Sequence, residues 1–475
     1  MGFFNQKGTG EALGYNNEVA RKWKGKNLAI LGLGREGFDL AKFLLNLGAN
    51  VTVLDSANRQ KLGSRYQDAK KLGAEFRLGP NYLNGLSSFD IVFRSPGIPL
   101  QLKEFRQAQK KGVKISSTTR LFFELCPAHI VGVTGTKGKS TTASLTHHLL
   151  GGSKRRVYLA GNIGHSPIPL LKKLRRSDWV VLELSSFQLE DLNESPEISI
   201  LLNIVPEHLD RHKTFSKYLL AKQNIYKHQK KNNILVASRD YPATRTAIQQ
   251  AKGRVYPIST KQILKKGVYL AGGEIIYRNE KGRRQVVAPV SSMKLKGEHM
   301  RQNVLPAVAA AIVAGTPVKR IEGRLKSFKG LHHRLEIVRT IGKTIFVNDS
   351  LGTTPEAATA AALAFSGMPK AMIIGGVAKG GDMKQLARTV AKANVELVVL
   401  IGQSANKFKN IFKKFAPYVP TKIMVKFDDA VKQAYTAVKK GGAVILAPAC
   451  ASFDMFKDAY DRGEQFSKIV GKISK

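Results

Sequence analysis

A glycine-rich loop between an apolar run and a helical pattern constrains the fold of this chain more than any other feature. The run Ala128–Val131 leads into Gly132-Val-Thr-Gly-Thr-Lys-Gly-Lys-Ser-Thr-Thr142, and a helical pattern continues to Leu150. In such a turn, backbone N–H groups and the positive end of the helix dipole converge on one point, which favours a phosphate group. The loop therefore predicts a nucleoside-triphosphate site within an α/β domain.

The loop also assigns roles to single residues. The phosphates are predicted to lie against Gly135, Thr136, Lys137 and Gly138. Lys139 provides a cation for the β- and γ-phosphates, and Ser140 or Thr141 provides a hydroxyl ligand for Mg²⁺. The strict P-loop pattern has a glycine where this chain has Val133, and the glycines stand at 132, 135 and 138 instead. A nucleoside triphosphate is the ligand that we expect here.

A second glycine-rich turn, Gly32-Leu-Gly-Arg-Glu-Gly37, lies near the N-terminus. It follows a predicted strand, Lys26–Leu31, and a helix to about Leu47 and the strand Val51–Asp55 complete a βαβ unit. Taken alone, this spacing fits the dinucleotide fingerprint and predicts NAD or FAD. Because the same turn can hold any diphosphate, an oxidoreductase and an enzyme with a nucleoside-diphosphate-linked substrate both remain open.

Strands alternate with helices over most of the chain, which indicates three α/β domains. We predict a flexible arm at 1–25, a Rossmann-like domain at 26–125, a central P-loop ATPase-type domain with a mostly parallel sheet at 126–330, and a Rossmann-like C-terminal domain at 331–475. Further strands are predicted at Phe89–Phe93, Trp179–Leu184, Ile198–Leu202, Thr344–Asp349, Ala371–Ile374, Val395–Ile401 and Ala443–Ala447, with helices at about 215–228 and 355–365.

The charge balance is strongly basic, with 77 Lys and Arg against 34 Asp and Glu, a formal net charge of +43. Such a field attracts polyanions. The basic residues nevertheless occur in short scattered groups, such as Lys154–Arg156 and Lys172–Arg176, and aromatic residues are not interleaved with them as base stacking requires. We therefore expect no specific nucleic-acid partner. A basic, nucleic-acid-stimulated NTPase remains the alternative from another class of protein.

The cellular location is predicted from the absence of a secretory signal and of a membrane-spanning segment. Residues Met1–Lys7 have no long apolar core of a secretory signal, and no apolar run is long enough to span a membrane. The two cysteines, Cys126 and Cys450, lie far apart in apolar surroundings, which favours reduced thiols. We expect a cytoplasmic monomer.

Seven further motifs lie between residues 161 and 454 and belong to one resemblance, which spans roughly residues 27 to 470. They are Gly161-Asn-Ile-Gly164, Glu183-Leu-Ser-Ser-Phe-Gln188, Asn203-Ile-Val-Pro-Glu-His-Leu-Asp-Arg211, Gly330-Leu-His-His-Arg334, Asn348-Asp-Ser350, Gly375-Gly-Val-Ala-Lys-Gly-Gly-Asp382 and Pro448-Ala-Cys-Ala-Ser-Phe-Asp454. Together with the phosphate loop, this set resembles the Mur ligase family. The resemblance implies an ATP-dependent ligase that joins an amino acid to a UDP-sugar through an acyl phosphate, in peptidoglycan precursor synthesis, and it makes a redox role unnecessary.

The same resemblance implies the groups that would act on ATP. Catalysis would rest on Lys139, Glu183, His208 and Lys222, with Lys222 carbamylated by CO₂. Two Mg²⁺ ions would be held by Ser140, Glu183, His208 and the modified Lys222. Asn303 would contact the adenine, although the family's usual Asn after the preceding histidine is Met300 here. Arg334 and Asp349 would meet ATP from the C-terminal domain, which implies domain closure.

The implied substrates are UDP-N-acetylmuramoyl-L-alanine and glutamate. The UDP part would lie near Gly34, Asp55, Ser95, Pro96 and Gly97, and the peptidyl and sugar-linked part near Asn162, Ser185 and Gln188. Glutamate would meet Thr353, Lys379, Ser452 and Phe453. Leu351 replaces a lysine of the family pattern, and Ala459 replaces an aromatic residue. D-glutamate is the first choice, while L-glutamate and another amino acid remain alternatives. The Pro448–Ser452 motif argues against a different amino acid and against a folylpolyglutamate-like enzyme.

Overall fold

The computed structural model describes residues 21–152, 155–163, 165–293, 298–365, 367–378 and 380–474, without the side chains of residues 298 and 299. Lys379, Gly164 and residues 1–20 of the predicted arm lie outside this description. The chain divides into two compact units: one contains the residues up to 293 together with Glu298–Phe328, and the other begins at Lys329. Three sheets form the architecture, two in the first unit and one in the second.

The first sheet has five parallel strands in the order β3-β2-β1-β4-β5. Its strands are β1 (Asn27–Leu31), β2 (Asn50–Asp55), β3 (Glu75–Leu78), β4 (Ile91–Arg94) and β5 (Lys114–Ser117). The helices around it are α1 (Arg35–Leu45), α2 (Arg59–Leu62), α3 (Ser64–Lys71), α4 (Lys103–Lys110) and α5 (Thr118–Leu125), with a 3₁₀ turn at Leu86–Ser88. Residues 28–31 of β1 are buried, as expected for a central parallel strand that is covered on both faces.

The second sheet has nine strands in the order β14-β13-β12-β11-β10-β9-β6-β8-β7. Its strands are β6 (His129–Thr134), β7 (Val157–Gly161), β8 (Trp179–Glu183), β9 (Ile198–Leu201), β10 (Ile234–Ser238), β11 (Arg254–Ser259), β12 (Gly267–Ala271), β13 (Glu274–Arg278) and β14 (Arg284–Pro289). The part from β7 to β12 is parallel, and β13 and β14 extend one edge as antiparallel strands. Strand β6 lies between β8 and β9, so the chain order reverses there and a crevice opens at the carboxyl ends of the strands.

The remaining helices of the first unit accompany this second sheet. They are α6 (Lys139–Leu150), α7 (Ser186–Leu189), α8 (Leu209–His212), α9 (Phe215–Lys227), α10 (Pro242–Gln250), α11 (Glu298–Val313) and α12 (Val318–Ser327), with 3₁₀ turns at Ile168–Lys172 and Val290–Ser292. Helix α6 packs along α11, which brings residues from the end of the unit against the helix that follows the phosphate loop.

The third sheet belongs to the second unit and has the order β15-β16-β20-β17-β18-β19, parallel except for the pair β15 and β16. Its strands are β15 (Glu336–Ile341), β16 (Thr344–Asn348), β17 (Lys370–Gly375), β18 (Val395–Ile401), β19 (Thr421–Ile423) and β20 (Gly442–Leu446). The helices are α13 (Pro355–Ala364), α14 (Met383–Val390), α15 (Ala405–Phe415), α16 (Phe427–Val438) and α17 (Ala459–Lys472).

The predicted fold class, α/β with mostly parallel sheets, is confirmed by these three sheets. The strand predicted at Phe89 begins two residues later, at Ile91, and the helix after the phosphate loop begins at Lys139. Trp23, which we assigned to the arm, is buried in the core of the first unit with 2% of its surface exposed. The packed chain therefore begins before residue 26, because a buried indole ring contributes a large apolar contact area.

Candidate active site

The phosphate loop follows β6 and depends on two glycines with positive φ. Gly135 has φ of 155° and Gly138, which caps the N-terminus of α6, has φ of 84°. A Cβ at Gly135 would lie 2.5 Å from Cβ of Leu202, and one at Gly138 would collide with the side-chain oxygen of Asn303. Both positions therefore require glycine for conformation and for space.

Polar contacts from the segment after β9 hold the loop in place. The backbone N–H of Val205 donates to Oγ1 of Thr136 over 3.0 Å, and that hydroxyl lies 3.1 Å from the Tyr218 hydroxyl. Nζ of Lys139 donates to the Thr136 carbonyl over 2.8 Å, and Nζ of Lys137 lies 2.5 Å from Oε1 of Glu207. Both predicted phosphate-binding lysines thus lie at the loop, one folded onto its backbone and the other paired with a carboxylate.

Lys222 is buried beneath the loop with 1% of its surface exposed. Its Nζ donates to the Gly135 carbonyl over 2.8 Å and to Oγ1 of Thr134 over 3.3 Å. Burial lowers the pKa of Lys222 to about 7, and the positive charge of Lys139 acts in the same direction, whereas Glu207 and Glu183 oppose the shift. A large fraction of this amine is therefore neutral at neutral pH.

Glu183 ends β8, the strand next to the loop strand, and it is 1% exposed. Its Oε1 accepts a hydrogen bond from Nδ2 of Asn162 over 2.8 Å, while its buried Oε2 has no hydrogen-bond partner among the residues that the structure describes. A buried carboxylate oxygen without a partner is costly unless a cation or a proton donor completes it. The structure thus brings Glu183 and Asn162 together beside the phosphate loop.

His208 lies at the start of the short helix α8 with φ of 56°. Its Nε2 lies 3.7 Å from Oε2 of Glu207, and its ring packs against Phe187 at 5.2 Å between centroids. Burial alone would raise the pKa of the Glu207 carboxyl, but the positive charges of Lys137 and Lys139 outweigh burial, so its pKa is lowered. His208 therefore lies on the loop side of the crevice, next to the anion that pairs with Lys137.

A cavity of about 170 Å³ opens beside the loop. Its lining comes from the loop, from the ends of β9, β10 and β11, and from α11: Thr136, Lys137, Gly138, Leu201, Leu202, Asn203, Val205, Ser238, Asp240, Tyr241, Ile258, Thr260, Gln302 and Asn303. The predicted adenine residue Asn303 is thus part of the lining. We did not predict Asp240, whose carboxylate accepts from the Ser259 hydroxyl over 2.5 Å and from the Thr260 N–H over 2.7 Å. Its position two residues after the end of the buried strand β10 was the available signal.

The second glycine turn joins β1 to α1. Asp55 lies beside it at the end of β2, and its two carboxylate oxygens accept hydrogen bonds from the N–H groups of Leu33 and Ala57 over 2.8 and 2.9 Å. Oγ of Ser95 donates to the Leu31 carbonyl over 2.5 Å, and its position would be crowded by a side chain at Gly32. The structure therefore groups Gly34, Asp55 and Ser95 at one end of the first sheet, where Asp55 holds the shape of the turn.

A buried arginine connects this region to α7, and the sequence analysis did not identify it. Arg94 ends β4 with 1% exposure; its guanidinium lies 3.3 Å from Oδ2 of Asp191 and donates to the carbonyls of Ile98 and Phe187 over 2.8 and 3.0 Å. Arg211 donates to the carbonyls of Pro96 and Gly97 from the opposite side. These contacts fix the turn Ser95–Ile98 against the second sheet's domain.

Ser185 and Gln188, predicted to face the substrate, form a capping box at the N-terminus of α7. The Gln188 N–H donates to Oγ of Ser185 over 3.2 Å, and Oε1 of Gln188 accepts from the Ser185 N–H over 3.0 Å. Nε2 of Gln188 donates to Oε1 of Glu36, in the second glycine turn, over 2.8 Å. Gln188 therefore links α7 to the second glycine turn, and both the oxygen and the nitrogen of its amide have a hydrogen-bond partner.

The second unit carries the remaining predicted residues. Asp349 follows β16 and is 5% exposed; its Oδ1 accepts from the Leu335 N–H over 3.1 Å. Burial raises the pKa of Asp349 to about 7, although Arg334 and this N–H act against the shift. Ser452 is buried with an Oγ that has no partner within the described chain, and the neighbouring Phe453 side chain is 66% exposed.

Two adjacent histidines and Glu464 form the cluster in the described chain that most resembles a metal site. Nε2 of His332 lies 2.8 Å from Oε1 of Glu464, and Nε2 of His333 lies 3.5 Å from the same oxygen. Nδ1 of His333, however, accepts from Nδ2 of Asn348, whose orientation is fixed because its Oδ1 accepts from the Ser350 N–H. The proton of neutral His333 therefore resides on Nε2, which makes that atom a donor and not a ligand.

Three family profiles match the chain in the order of its domains. "Mur ligase MurD-like, N-terminal domain" matches residues 26–117, "Mur ligase middle domain" matches 133–311, and "Mur ligase, glutamate ligase domain" matches 333–450. The chain belongs to the Mur ligase family. Its members use ATP, which agrees with the phosphate loop between β6 and α6.

Curated Mur ligases resemble this one along almost the whole chain. The UDP-N-acetylmuramoylalanine–D-glutamate ligase of Caldanaerobacter subterraneus subsp. tengcongensis is 38% identical over 449 residues, 94% of this chain and 98% of the relative. The enzyme of the same name from a Thermoanaerobacter species is 36% identical, covering 95% of this chain and 99% of its own. The MurF ligase of Thermotoga maritima, solved in complex with ADP, shares the fold with a TM-score of 0.54 at 18% identity, over 95% of this chain and 97% of its own.

The Mur ligase contains no helix, in the part of the chain that the structure describes, that is both long and apolar enough to cross a membrane. The roles of individual site residues stay predictions. For the first unit, the structure adds that Lys139, Glu183, His208 and Lys222 all lie around one loop at the switch point of the second sheet.

Proposed function

We propose that this Mur ligase joins D-glutamate to UDP-N-acetylmuramoyl-L-alanine, with ATP converted to ADP and phosphate. The observation that carries the proposal is the match to relatives of that activity at 36–38% identity over 94–95% of the chain. The phosphate loop and the second glycine turn, which lie in the same compact unit, supply the two nucleotide-binding features that such a reaction needs.

The chemistry explains why the loop matters. A carboxylate is a poor electrophile, so its oxygen must first accept a phosphoryl group from ATP, and the resulting acyl phosphate is then attacked by the amine of glutamate. The incoming carboxylate and the γ-phosphate are both anions, and catalysis therefore depends on positioning and on cations. Lys139 supplies a cation at the N-terminus of α6, where the dipole and the free N–H groups already favour phosphate.

The donor set at the loop fits Mg²⁺. Glu183 offers a buried carboxylate oxygen with no other partner in the described chain, and Ser140 offers a hydroxyl in the first turn of α6. We propose that these two groups hold one ion and that His208 and a carbamylated Lys222 hold a second. The ions would neutralise charge on the transferring phosphate. Mg²⁺ prefers oxygen ligands, so the carbamate oxygens of the modified Lys222 would suit the second ion better than the imidazole of His208 does.

Carbamylation of Lys222 is supported by its surroundings. The reaction requires the neutral amine: the Nζ lone pair attacks the carbon of CO₂, and one proton leaves to solvent. Because burial lowers the pKa of Lys222 to about 7, roughly half of the side chains are neutral at pH 7. The product carries a negative charge beneath the loop, which replaces a buried ammonium group by an oxygen ligand.

The amino-acid site is proposed in the second unit, at Thr353, Ser452 and Phe453, with Lys379 as the cation for a glutamate carboxylate. Ser452 supports this placement because its buried hydroxyl has no partner within the described residues, so a ligand carboxylate could use it. Leu351 supplies no cation, unlike the family's lysine, and the choice between D- and L-glutamate is therefore the part of the proposal that experiment must decide.

The test is phosphate release with ATP, Mg²⁺ and UDP-N-acetylmuramoyl-L-alanine, with D-glutamate, L-glutamate or another amino acid, and with or without RNA. We expect turnover with D-glutamate only, and its loss in Lys139→Met but not in the control variant Lys227→Met, whose side chain is exposed at the end of α9. Turnover with L-glutamate alone would keep the mechanism and change the substrate. Stimulation by RNA without any amino acid would refute the ligase proposal.

A further inference from the structure

Much of the positive charge of the chain lies outside the candidate active site, and one stretch of the second unit carries it almost without acidic residues. Residues 383–426 contain nine Lys and Arg residues and one acidic residue, Glu396. All nine cationic side chains are exposed, and none forms an ion pair within the described residues. They are Lys384, Arg388, Lys392, Lys407, Lys409, Lys413, Lys414, Lys422 and Lys426. The stretch therefore presents uncompensated positive charge to solvent.

The fold brings this stretch to one edge of the third sheet. Strand β19 is the outermost strand there, and α15 packs against it. Helices α14 and α15 share one hydrophobic core. Arg388 of α14 and Lys414 of α15 meet at the ring of Phe415, with Cζ and Nζ 4.9 and 5.8 Å from the ring centroid. We call residues 383–426 the basic edge.

Two large apolar side chains of the basic edge are exposed to solvent, one on each side of β19. Tyr418, before the strand, is 95% exposed, and Val425, after it, is 86% exposed. They are the most exposed large apolar side chains in the part of the chain that the structure describes. Lysine on an edge strand can be explained as protection against unwanted strand pairing. That explanation does not extend to an exposed tyrosine and an exposed valine, which lose free energy in water.

A lipid surface fits this combination better than a nucleic acid does. Lysine can pair with the phosphates of either partner. Nucleic-acid bases, however, are held by stacking on aromatic faces, and Val425 offers no such face. A bilayer accepts both side chains, because an aromatic ring with a polar tip and a short apolar side chain are stabilised at the level of the lipid headgroups. Tyr418 and Val425 are seven positions apart. Their backbones are therefore at most ~25 Å apart, and one flat membrane can contact both.

We propose that the basic edge docks on an anionic lipid bilayer: its Lys and Arg side chains face the headgroup phosphates, and Tyr418 and Val425 enter the headgroup layer. Each cation near such a surface raises the partition coefficient by about fivefold. A few engaged cations and two apolar side chains therefore suffice for reversible binding that added salt weakens. The inference does not rest on the proposed function, because it uses no residue of the candidate active site.

The experiment measures how much of the full chain sediments with lipid vesicles. The vesicles contain phosphatidylcholine alone, or phosphatidylcholine with about 30% phosphatidylglycerol. We expect the wild type to bind only the anionic vesicles and to be released as NaCl rises from about 0.1 M to about 0.5 M. The double variant Lys413→Gln/Lys414→Gln should have a partition coefficient about 25-fold lower. Tyr418→Ser, which keeps the charge, should lower the coefficient by about fivefold.

The double variant Lys439→Gln/Lys440→Gln is the matched control. It also removes two adjacent exposed lysines at the end of a helix of the second unit, but that helix is α16 and lies outside the basic edge. Its partition coefficient should stay within about twofold of the wild type. An equal loss in both double variants would overturn the inference, because binding would then follow the total charge of the chain and not this surface.

Single-stranded RNA is the competing polyanion in the same assay. Binding of the wild type to RNA but not to anionic vesicles, with loss of RNA binding in Lys413→Gln/Lys414→Gln, would overturn the proposal in favour of a nucleic-acid surface. Binding to neither would overturn it as well.

Tyr418→Trp reports directly on contact at the basic edge. The native tryptophans, Trp23 and Trp179, are buried in the first unit, so the new indole ring is the exposed emitter. We expect its emission to shift to shorter wavelength with anionic vesicles and to stay unchanged with phosphatidylcholine vesicles, because only the former withdraw the ring from water. A vesicle-bound Tyr418→Trp chain whose emission does not shift would show that another surface binds, and the inference would be wrong.

Discussion

Replacing Lys222 by methionine should make the first unit more stable at neutral pH and abolish ligase turnover. Methionine fills a similar volume without a charge. The folded pKa of Lys222 is about 7 and its ordinary value is 10.5, so the unfolded chain binds more protons between these two pH values. Stability of the wild type therefore rises with pH across this window, and the deficit relative to methionine is largest at the low-pH end of the window and below it.

The magnitude follows from the same two values. At ~1.4 kcal/mol per pH unit, the buried amine costs ~4 kcal/mol at pH 7 and ~1 kcal/mol at pH 10. Methionine also loses the two hydrogen bonds that Nζ donates to Gly135 and Thr134, together ~2 kcal/mol at either pH. We thus expect Lys222→Met to be ~2 kcal/mol more stable than the wild type at pH 7 and ~1 kcal/mol less stable at pH 10.

Tryptophan fluorescence during urea denaturation measures this difference. The chain has two tryptophans, Trp23 and Trp179, and both are buried in the first unit, so their emission reports its unfolding. The buffers must be free of CO₂ so that the amine stays unmodified. Lys227→Met, at the exposed end of the same helix, is the control and should change stability by less than ~0.5 kcal/mol at either pH.

A stability difference between Lys222→Met and the wild type that is the same at pH 7 and pH 10 would refute the reasoning, because it would show that burial does not shift this amine. Gain of stability together with loss of turnover would identify Lys222 as a residue that is retained for chemistry at the expense of stability.

Four further substitutions, one of them a control, test other parts of the structure. Gly138→Ala should raise KM for ATP by more than about tenfold in steady-state kinetics, because φ of 84° is unfavourable for alanine and its Cβ collides with Asn303; an unchanged KM would contradict this account of the loop. Arg94→Met should destabilise the first unit by ~3–5 kcal/mol in the fluorescence assay, because it leaves the buried Asp191 carboxylate without its cation. Lys26→Met is the control: it breaks the exposed pair with Asp90 and should lower the free energy of unfolding by less than ~1 kcal/mol. An equal loss of stability in Lys26→Met and Arg94→Met would contradict the argument from burial. Asp349→Asn should melt at a higher temperature than the wild type at pH 8 but not near pH 4 in calorimetry: the folded pKa of about 7 exceeds 3.8, so the wild type loses stability as pH rises between these values.

The strands and helices that surround the site could be predicted from local patterns. Short apolar runs bounded by glycine or polar residues predicted β1, β6, β8 and β18, because parallel strands buried on both faces contain little else. The strands from β10 to β14 were not predicted. The residues of β13 and β14 are less uniformly buried and alternate only partly, so local hydrophobicity gives a weaker signal there, whereas β10 is as buried as β6 and its apolar run was simply missed.

The composition of the site was also partly visible, since strand–loop–helix spacing predicts where phosphate-binding groups must lie. The contacts that support the site, in contrast, could not be predicted from the sequence. Asn303 packs against Gly138, Gln188 donates to Glu36 across 152 positions of sequence, and Arg94 pairs with Asp191. Such pairs depend on which strands become neighbours in a sheet and on how two domains meet, and no local pattern of the chain encodes either.

The sequence by itself determined the alternation of strands and helices, the two glycine turns and the identity of the groups available for chemistry. These depend on hydrophobic periodicity and on backbone conformations that only glycine adopts readily. The tertiary structure alone decided the ionisation of those groups. Lys222 and Glu36 would be an ordinary cation and an ordinary anion on isolated helices; burial against Gly135 in one case and beside Gln188 in the other shifts their pKa values toward the neutral forms.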